Sequence, residues 1–219
     1  MKKTSAAILL FVMPLPAFAV GGYIEGNLGY TFVSDADLKG SAATVEAGTL
    51  SNGELKYDDG VGYGLEIGIR NFESHNVLRL GLAWNRFDAD LDELEFDASG
   101  GTVLPAGRYS LSSGELESVG LDFDNTVDVY TVNIYYDIPT SEKFTFFVGG
   151  GIGIADVENA KDEEFAFKLA LGGRYQLGEN AYLGLRYDYI GIDDLEDDSG
   201  DKYENVSANV VSATLGFNF

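Results

Sequence analysis

From Gly22 onward the chain repeats one pattern: an apolar residue at every second position, with small or polar residues between. A period of two is the signature of a strand with unlike faces. Gly22 to Val33 places Ile24, Gly26, Leu28, Tyr30 and Phe32 on one face and Glu25, Asn27, Gly29 and Thr31 on the other. The second segment sets Val61, Tyr63, Leu65, Ile67 and Ile69 against Gly62, Gly64, Glu66, Gly68 and Arg70. The third sets Leu78, Leu80, Leu82 and Trp84 against Arg79, Gly81, Ala83 and Asn85, and the fourth Tyr130 to Ile138 against Asn133, Tyr135 and Asp137. Phe144 to Ile154 and Phe165 to Tyr175 continue the series, opposite Phe147 and three glycines, and opposite Lys168, Gly172 and Arg174. Leu183, Leu185, Tyr187 and Tyr189 then face away from Tyr182, Arg186 and Asp188. Last come Val211, Ala213, Leu215, Phe217 and Phe219. Eight strands are predicted.

Their connections alternate in length. Three are short (71–76, 139–143 and 178–180) and four are long (roughly 34–56, 88–126, 156–164 and 191–205). A short one follows every even strand and a long one every odd strand. That asymmetry is expected of an all-β, eight-stranded antiparallel up-and-down transmembrane barrel with short periplasmic turns and long acidic external loops. The competing fold is a soluble sandwich or lipocalin-like barrel, which also alternates. Its polar face would be solvated and rich in charge. Here that face holds Gly62, Gly64, Gly68, Gly149, Gly151, Gly153 and Gly172, which suits a crowded interior better than a wet surface.

One stretch breaks phase. Val119, Leu121, Phe123, Val127 and Val129 fall on odd positions, whereas Tyr130 to Ile138 fall on even ones. A β-bulge near Asp128 would switch the phase; alternatively 89–126 hides another hairpin and the count is ten. Its acidity favours eight, with strand extensions above the membrane.

The two ends of the chain sharpen the reading. Lys2 and Lys3 precede a short apolar run, Ala6 to Leu15, and Ala17-Phe18-Ala19 forms an A-x-A site. Residues 1–19 are therefore expected to be a cleaved secretory signal and 20–219 a single barrel domain. At the other end the sequence Leu215-Gly-Phe217-Asn-Phe219 finishes on an aromatic residue. Signal, eight alternating segments and terminal LGFNF together resemble small outer-membrane barrels of the OmpA-like and Opa-like group, including porin-family surface proteins of this size. The resemblance implies an integral location in the bacterial outer membrane. It also implies that Leu215, Phe217 and Phe219 are the signal read by the barrel-insertion machinery. No motif specific to one activity is matched. A peptidoglycan-binding domain, and with it cell-wall tethering, is not expected.

Charge narrows the function classes. The chain carries 36 acidic and 14 basic residues and no cysteine. Nucleic acid is excluded as a partner, since its phosphates need a basic surface. Of the acidic residues, 26 lie in the four long connections, opposed there by Lys39, Lys56, Arg108, Lys161 and Lys202. Asp193, Asp194, Glu196, Asp197, Asp198 and Asp201 form the densest run, a candidate site for divalent cations because hard cations favour oxygen clusters. The run lacks the glycine at the sixth position of an EF-hand loop, and a solvated, repelling loop is the favoured reading. No metal is assigned and no cofactor is expected.

The small-residue face carries Glu25, Glu66, Asp137 and Asp188 against Arg70, Arg79, Lys168, Arg174 and Arg186. An eight-stranded barrel is only wide enough for its side chains to fill. Nine ionisable groups there must pair or meet water, because an isolated buried charge is too costly. They read either as an ion-pair plug or as a narrow, gated pathway for ions or small solutes. Arg86, on the lipid side beside Trp84, is placed to meet lipopolysaccharide phosphate or to snorkel at the rim. Catalysis is not expected: the single histidine, His75, falls in a short turn, and no G-x-S-x-G is present. The partners expected are outer-membrane lipid, lipopolysaccharide and the insertion machinery, for a monomer.

Overall fold

In the computed structural model the alternating segments pair edge to edge until the last strand meets the first. The structure describes residues 21–39, 43–45, 48–72, 75–99, 105–118, 125–158, 163–193, 195–196, 202–204 and 206–219. The expected leader, 1–19, lies outside them. The barrel strands are β1 (Gly21–Val33), β2 (Gly60–Phe72), β3 (His75–Ala89), β4 (Asn125–Pro139), β5 (Phe144–Val157), β6 (Glu164–Gln176), β7 (Ala181–Ile192) and β8 (Ser207–Asn218). Each pairs antiparallel with its chain neighbours, and β8 closes on β1 with Gly26 opposite Leu215. Closure leaves no unpaired barrel edge, the condition for crossing lipid with strands. No helix among the described residues is long and apolar enough to span a membrane.

Side-chain direction follows the sequence alternation. The face carrying Leu28, Val132, Ile152 and Leu185 points outward, and these side chains are 58–69% exposed. A continuous exposed belt of this kind is incompatible with water and fits lipid. The opposite face is buried inside the barrel. The glycines on it make room for rings. A Cβ on Gly172 would lie 2.6 Å from Phe147 Cζ, and one on Gly68 would lie 2.5 Å from Tyr23 Cε1. At both positions a backbone carbonyl of the neighbouring strand, Leu185 O or Leu80 O, crowds the same space as the ring.

The interior has two levels. Toward the short-turn end and through the middle it is polar and charged. Toward the long-loop end it is apolar, with Phe87, Val127, Val129, Ala155, Ile190, Ala208 and Val210 packed into one cluster. This overturns the β-bulge expected near Asp128. Strand β4 runs without a break in register against both β3 and β5. Val127 and Val129 share the inward parity of Thr131, Asn133 and Tyr135, and they are apolar because the upper lumen is apolar. The count is eight, not ten.

Three of the four long connections join into one further sheet beyond the barrel, in the strand order 195–196, 202–204, Ala36–Lys39, Gly48–Tyr57, Leu91–Ala98 and Gly107–Ser112, with Ala43–Val45 beside Gly48–Tyr57. Val119, Leu121 and Phe123 lie outside the described residues. Leu55, Leu91 and Leu116 form a small core under this sheet. Tyr57 packs against both that core and the apolar cluster at the top of the lumen. Burial pushes the Tyr57 phenol up to about 12. Ser113–Ser118 is a single helical turn. Just before it, Ser112 donates both its backbone N–H (3.0 Å) and its hydroxyl (2.9 Å) to the Glu115 carboxylate.

Candidate functional site: the filled lumen

All nine ionisable residues expected on the inner face are there. Arg70 is half-buried at the short-turn end. The other eight are buried, Glu25, Glu66, Arg79, Lys168 and Asp188 each to 1% exposure. The strand register sorts them into two groups.

The middle group is organised by Arg186. Its Nε donates to Asp188 Oδ1 at 2.8 Å, its Nη1 to Glu25 Oε1 at 3.1 Å and Glu66 Oε2 at 3.3 Å, and its Nη2 to the Tyr135 hydroxyl at 2.5 Å. One guanidinium therefore serves three carboxylates contributed by β1, β2 and β7, the planar fork that Lys lacks. Glu66 also accepts from Tyr23 OH (2.5 Å), Tyr135 OH (2.6 Å) and Asn133 Nδ2 (3.3 Å). Glu25 accepts from Tyr182 OH at 2.8 Å. Lys168 donates to Asn85 Oδ1 at 3.1 Å.

The lower group gathers on Asp137. Arg79 Nε donates to Oδ1 at 3.0 Å, and Arg174 Nη2 lies 2.5 Å from Oδ2. Both guanidiniums stack on the ring of Phe147, at 5.1 and 5.5 Å from its centroid. Arg79 also stacks on Tyr135 at 4.5 Å and Arg174 on Tyr182 at 5.1 Å. Such contacts strengthen when water is excluded.

Reading for charge alone missed the rings and amides of this network: Tyr23, Tyr135, Tyr182, Phe147, Asn85 and Asn133. Parity was the available signal. Each sits an even number of residues from an inward-facing charge on its own strand or on the inner face of its neighbours.

The remaining expectations fall elsewhere. Leu215 and Phe217 face outward on β8, both 47% exposed. Phe219 completes the seam: its N–H donates to Gly22 O (2.9 Å) and its carbonyl accepts from Gly22 N–H (2.6 Å). Of the acidic run, Asp193 follows β7 directly and Glu196 lies in the outer sheet; Asp194, Asp197, Asp198 and Asp201 lie outside the described residues. Among the described residues no cluster of three or more acidic or histidine side chains is arranged to hold a metal ion. Arg86 is engaged at the rim by a bidentate contact with Asp128, whose Oδ1 also accepts from Trp84 Nε1 at 2.7 Å. The outer sheet pairs its bases in the same way. Lys56 lies between Glu93 and Glu95, and Arg108 between Glu54 and Glu95. The hydrogen bond from Lys56 holds Glu95 below the usual carboxylate range, and the Ser110 hydroxyl and then Lys56 do the same for Glu93.

A closed antiparallel barrel with an apolar exterior, aromatic rim and filled polar interior is the architecture of a bacterial outer-membrane protein. Residues 5–219 match the family model described as the outer membrane protein beta-barrel domain, and the chain belongs to that family. It is an integral protein of the bacterial outer membrane. It is 25% identical over 191 residues to outer membrane protein PagN of Salmonella typhimurium, covering 78% of this chain and 74% of PagN. Among solved structures, OprG from Pseudomonas aeruginosa matches with a TM-score of 0.56 at 14% identity, covering 91% of this chain and 95% of that one. Neisserial surface protein A matches at 0.54 and 14%, covering 90% and 97%. At these identities the structural likenesses show the fold alone.

Proposed function

We propose that this barrel is a closed, non-catalytic element of the outer membrane. Its lumen serves as an ion-paired plug, and its external sheet serves as the surface that meets other molecules. The observation that carries this reading is the two-level filling of the interior. A charged network with Arg186 at its centre occupies the middle, and a layer of Phe87, Val127, Val129 and Ile190 lies above it. Ions crossing such a lumen would have to break charge-assisted hydrogen bonds and then enter an apolar constriction, two barriers in series.

The external sheet supports the second half. On its described strands eight acidic residues, Glu54, Glu93, Glu95 and Asp97 among them, face four basic ones, Lys39, Lys56, Arg108 and Lys202. The chemistry that fits is a divalent cation or a basic partner. Lipid and lipopolysaccharide surround the exposed belt, and Leu215, Phe217 and Phe219 suit recognition by the insertion machinery.

Planar-bilayer conductance of the refolded protein tests the proposal, with heat-modifiable gel migration confirming that the protein has folded. A folded and silent barrel is expected. Steady conductance that changes in Arg186→Ala or Glu66→Ala would overturn the plug and make the same network the gate of a narrow channel for ions or small solutes.

A further inference from the structure

The external sheet ends differently on its two sides. On one it stops at 195–196, a strand too short to template another. On the other it stops at Gly107–Ser112, which pairs with Leu91–Ala98 residue for residue without a shift in register. Among the described residues no strand pairs with the outer side of Gly107–Ser112. Gly107, Arg108, Ser110 and Ser112 are exposed. A regular edge of this kind presents backbone N–H and C=O groups at alternate residues, and sheets usually blunt it with proline, a bulge or a charge. This strand contains no proline, and its one charged residue is Arg108. The Arg108 guanidinium turns back over the sheet, onto Glu95 of the neighbouring strand and Glu54 of the strand beyond (3.0 Å). Ser110 likewise donates to Glu93, and the Tyr109 ring stacks on Phe96 with centroids 5.9 Å apart. The side chains lean inward and leave the backbone edge open.

We infer that Gly107–Ser112 is a docking edge, which takes up an extended segment of a partner protein, alternating basic and apolar residues, as an added strand. Backbone hydrogen bonds along the edge supply the affinity, and the two faces of the sheet supply the selectivity. On one face Tyr109 and Leu111, both half-buried, continue the rows of Phe96 and Leu94, so apolar residues of the added strand would cover them. On the other face stand Arg108, Ser110 and Ser112, opposite Asp97, Glu95 and Glu93. The two serines are small enough for a lysine or arginine of the added strand to reach over them to Glu93 and Glu95. Arg108 already makes a reach of that span, across one strand to Glu54. Charge selects a basic segment, because the three strands at this edge carry five acidic residues and two basic ones. The inference rests on the reading of the external sheet as a surface for basic partners, and adds to it the strand and the mode of binding.

The test uses the full mature chain refolded in detergent, with backbone amide exchange of Gly107–Ser112 followed by NMR. The probe is a capped synthetic peptide of alternating valine and lysine, long enough to span that strand. Saturable binding is expected, with new protection at every second amide of Gly107–Ser112, those that point away from Leu91–Ala98. The same peptide N-methylated along its length keeps its charges and loses its backbone donors, and it should bind about tenfold more weakly or worse. A peptide with glutamate in place of lysine should not bind. Ser110→Lys sets a charge where the lysines of the peptide would cross and should lose most of the binding, with unchanged protection of Leu91–Ala98 showing that the sheet is intact. Binding of the lysine peptide without alternating protection, or with no loss on N-methylation, overturns strand addition and leaves the acidic sheet as a surface for basic partners. No binding of the lysine peptide overturns both. Binding of the glutamate peptide as tightly as the lysine one overturns the basic selectivity. Protection of Gly107–Ser112 that grows with protein concentration in the absence of peptide would make the occupant a second copy of this chain, and overturns the inference as well.

Discussion

Replacing Arg186 by methionine is the sharpest perturbation of the interior. The two side chains have comparable length, so the change removes charge and hydrogen bonds and leaves little void. Three carboxylates, Glu25, Glu66 and Asp188, each about 1% exposed, lose the guanidinium that lies 2.8–3.3 Å from all of them. Lys168 remains as the cation of that level, and its hydrogen bond goes to Asn85. Four charge-assisted bonds at about 1.5–3 kcal/mol each would sum to an implausible loss, because members of one network are not additive. Removing one partner of a buried ion pair costs about 3–5 kcal/mol, and that is the expected loss here. Against a total of roughly 5–15 kcal/mol it is a large fraction. Reversible denaturant unfolding in lipid vesicles, followed by fluorescence of the single tryptophan, Trp84, measures it. Combining Arg186→Met with Glu66→Gln should recover part of the loss, with a coupling of about 0.5–3 kcal/mol. A loss below about 1 kcal/mol, the range of solvent-exposed pairs, would mean that water screens the network. The reasoning that makes the lumen a plug would then fail.

Other expectations test other parts of the barrel. Leu28→Arg places a charge on the lipid face near mid-strand and should cost about 2–4 kcal/mol in the same unfolding assay; no cost would remove Leu28 from the lipid belt. Gly172→Val drives a branched side chain into the Leu185 carbonyl oxygen and the Phe147 ring and should lower stability by about 1–3 kcal/mol; Phe147→Ala relieves only the ring contact and should leave most of the loss in place. Deleting Phe219 breaks two backbone hydrogen bonds to Gly22 at the seam and should slow refolding into vesicles; an unchanged rate would confine any role of this residue to recognition by the insertion machinery. The external sheet should respond to pH. Glu93 and Glu95 are held below their ordinary value of 4.5, so their contribution is complete above that value and is lost as the pH falls through the lowered ones. Lys56 is raised above 10.5, so its share is complete below that value and is lost as the pH rises past it. Hydrogen exchange of Gly48–Tyr57 and Leu91–Ala98, corrected for intrinsic rates, should therefore show protection that declines at acid pH and in high salt.

Much of the barrel was legible because parity does not depend on context. A residue two positions from Glu25 faces the same way as Glu25, whatever its chemistry. That is why all nine charged lumen residues were found. The same rule was set aside at Val127 and Val129, where hydrophobicity was taken to mean lipid. The physical reason is that an outer-membrane barrel has two apolar environments, the bilayer and the dry upper lumen, and composition cannot distinguish them. An unbroken count from Asp137 back to Val127 does. The external sheet was not legible for a different reason. Its strands pair across loops far apart in sequence, as Lys56 and Glu93 do, and its register includes irregular steps beside Lys56. Short strands of mixed charge lack the repeating pattern that identifies a barrel segment.

These placements give the molecule a polarity along its axis. Acidic groups dominate the outside, an apolar layer follows, then the ionic centre around Arg186, and finally Arg79 and Arg174 on Asp137 toward the short turns. The order has an energetic logic. A guanidinium cluster of this kind facing the acidic loops directly would draw their carboxylates inward and compete with Lys56 and Arg108 for them. With Phe87, Val127 and Ile190 between them, the two fields are separated by a layer in which neither charge is stable. Tyr57 is the described side chain that touches both the core of the outer sheet and this layer. A rearrangement of the outer sheet can therefore reach the lumen through packing at Tyr57 and not through charge. Tyr57→Ala should accordingly loosen the apolar layer while leaving the contacts of Arg186 intact.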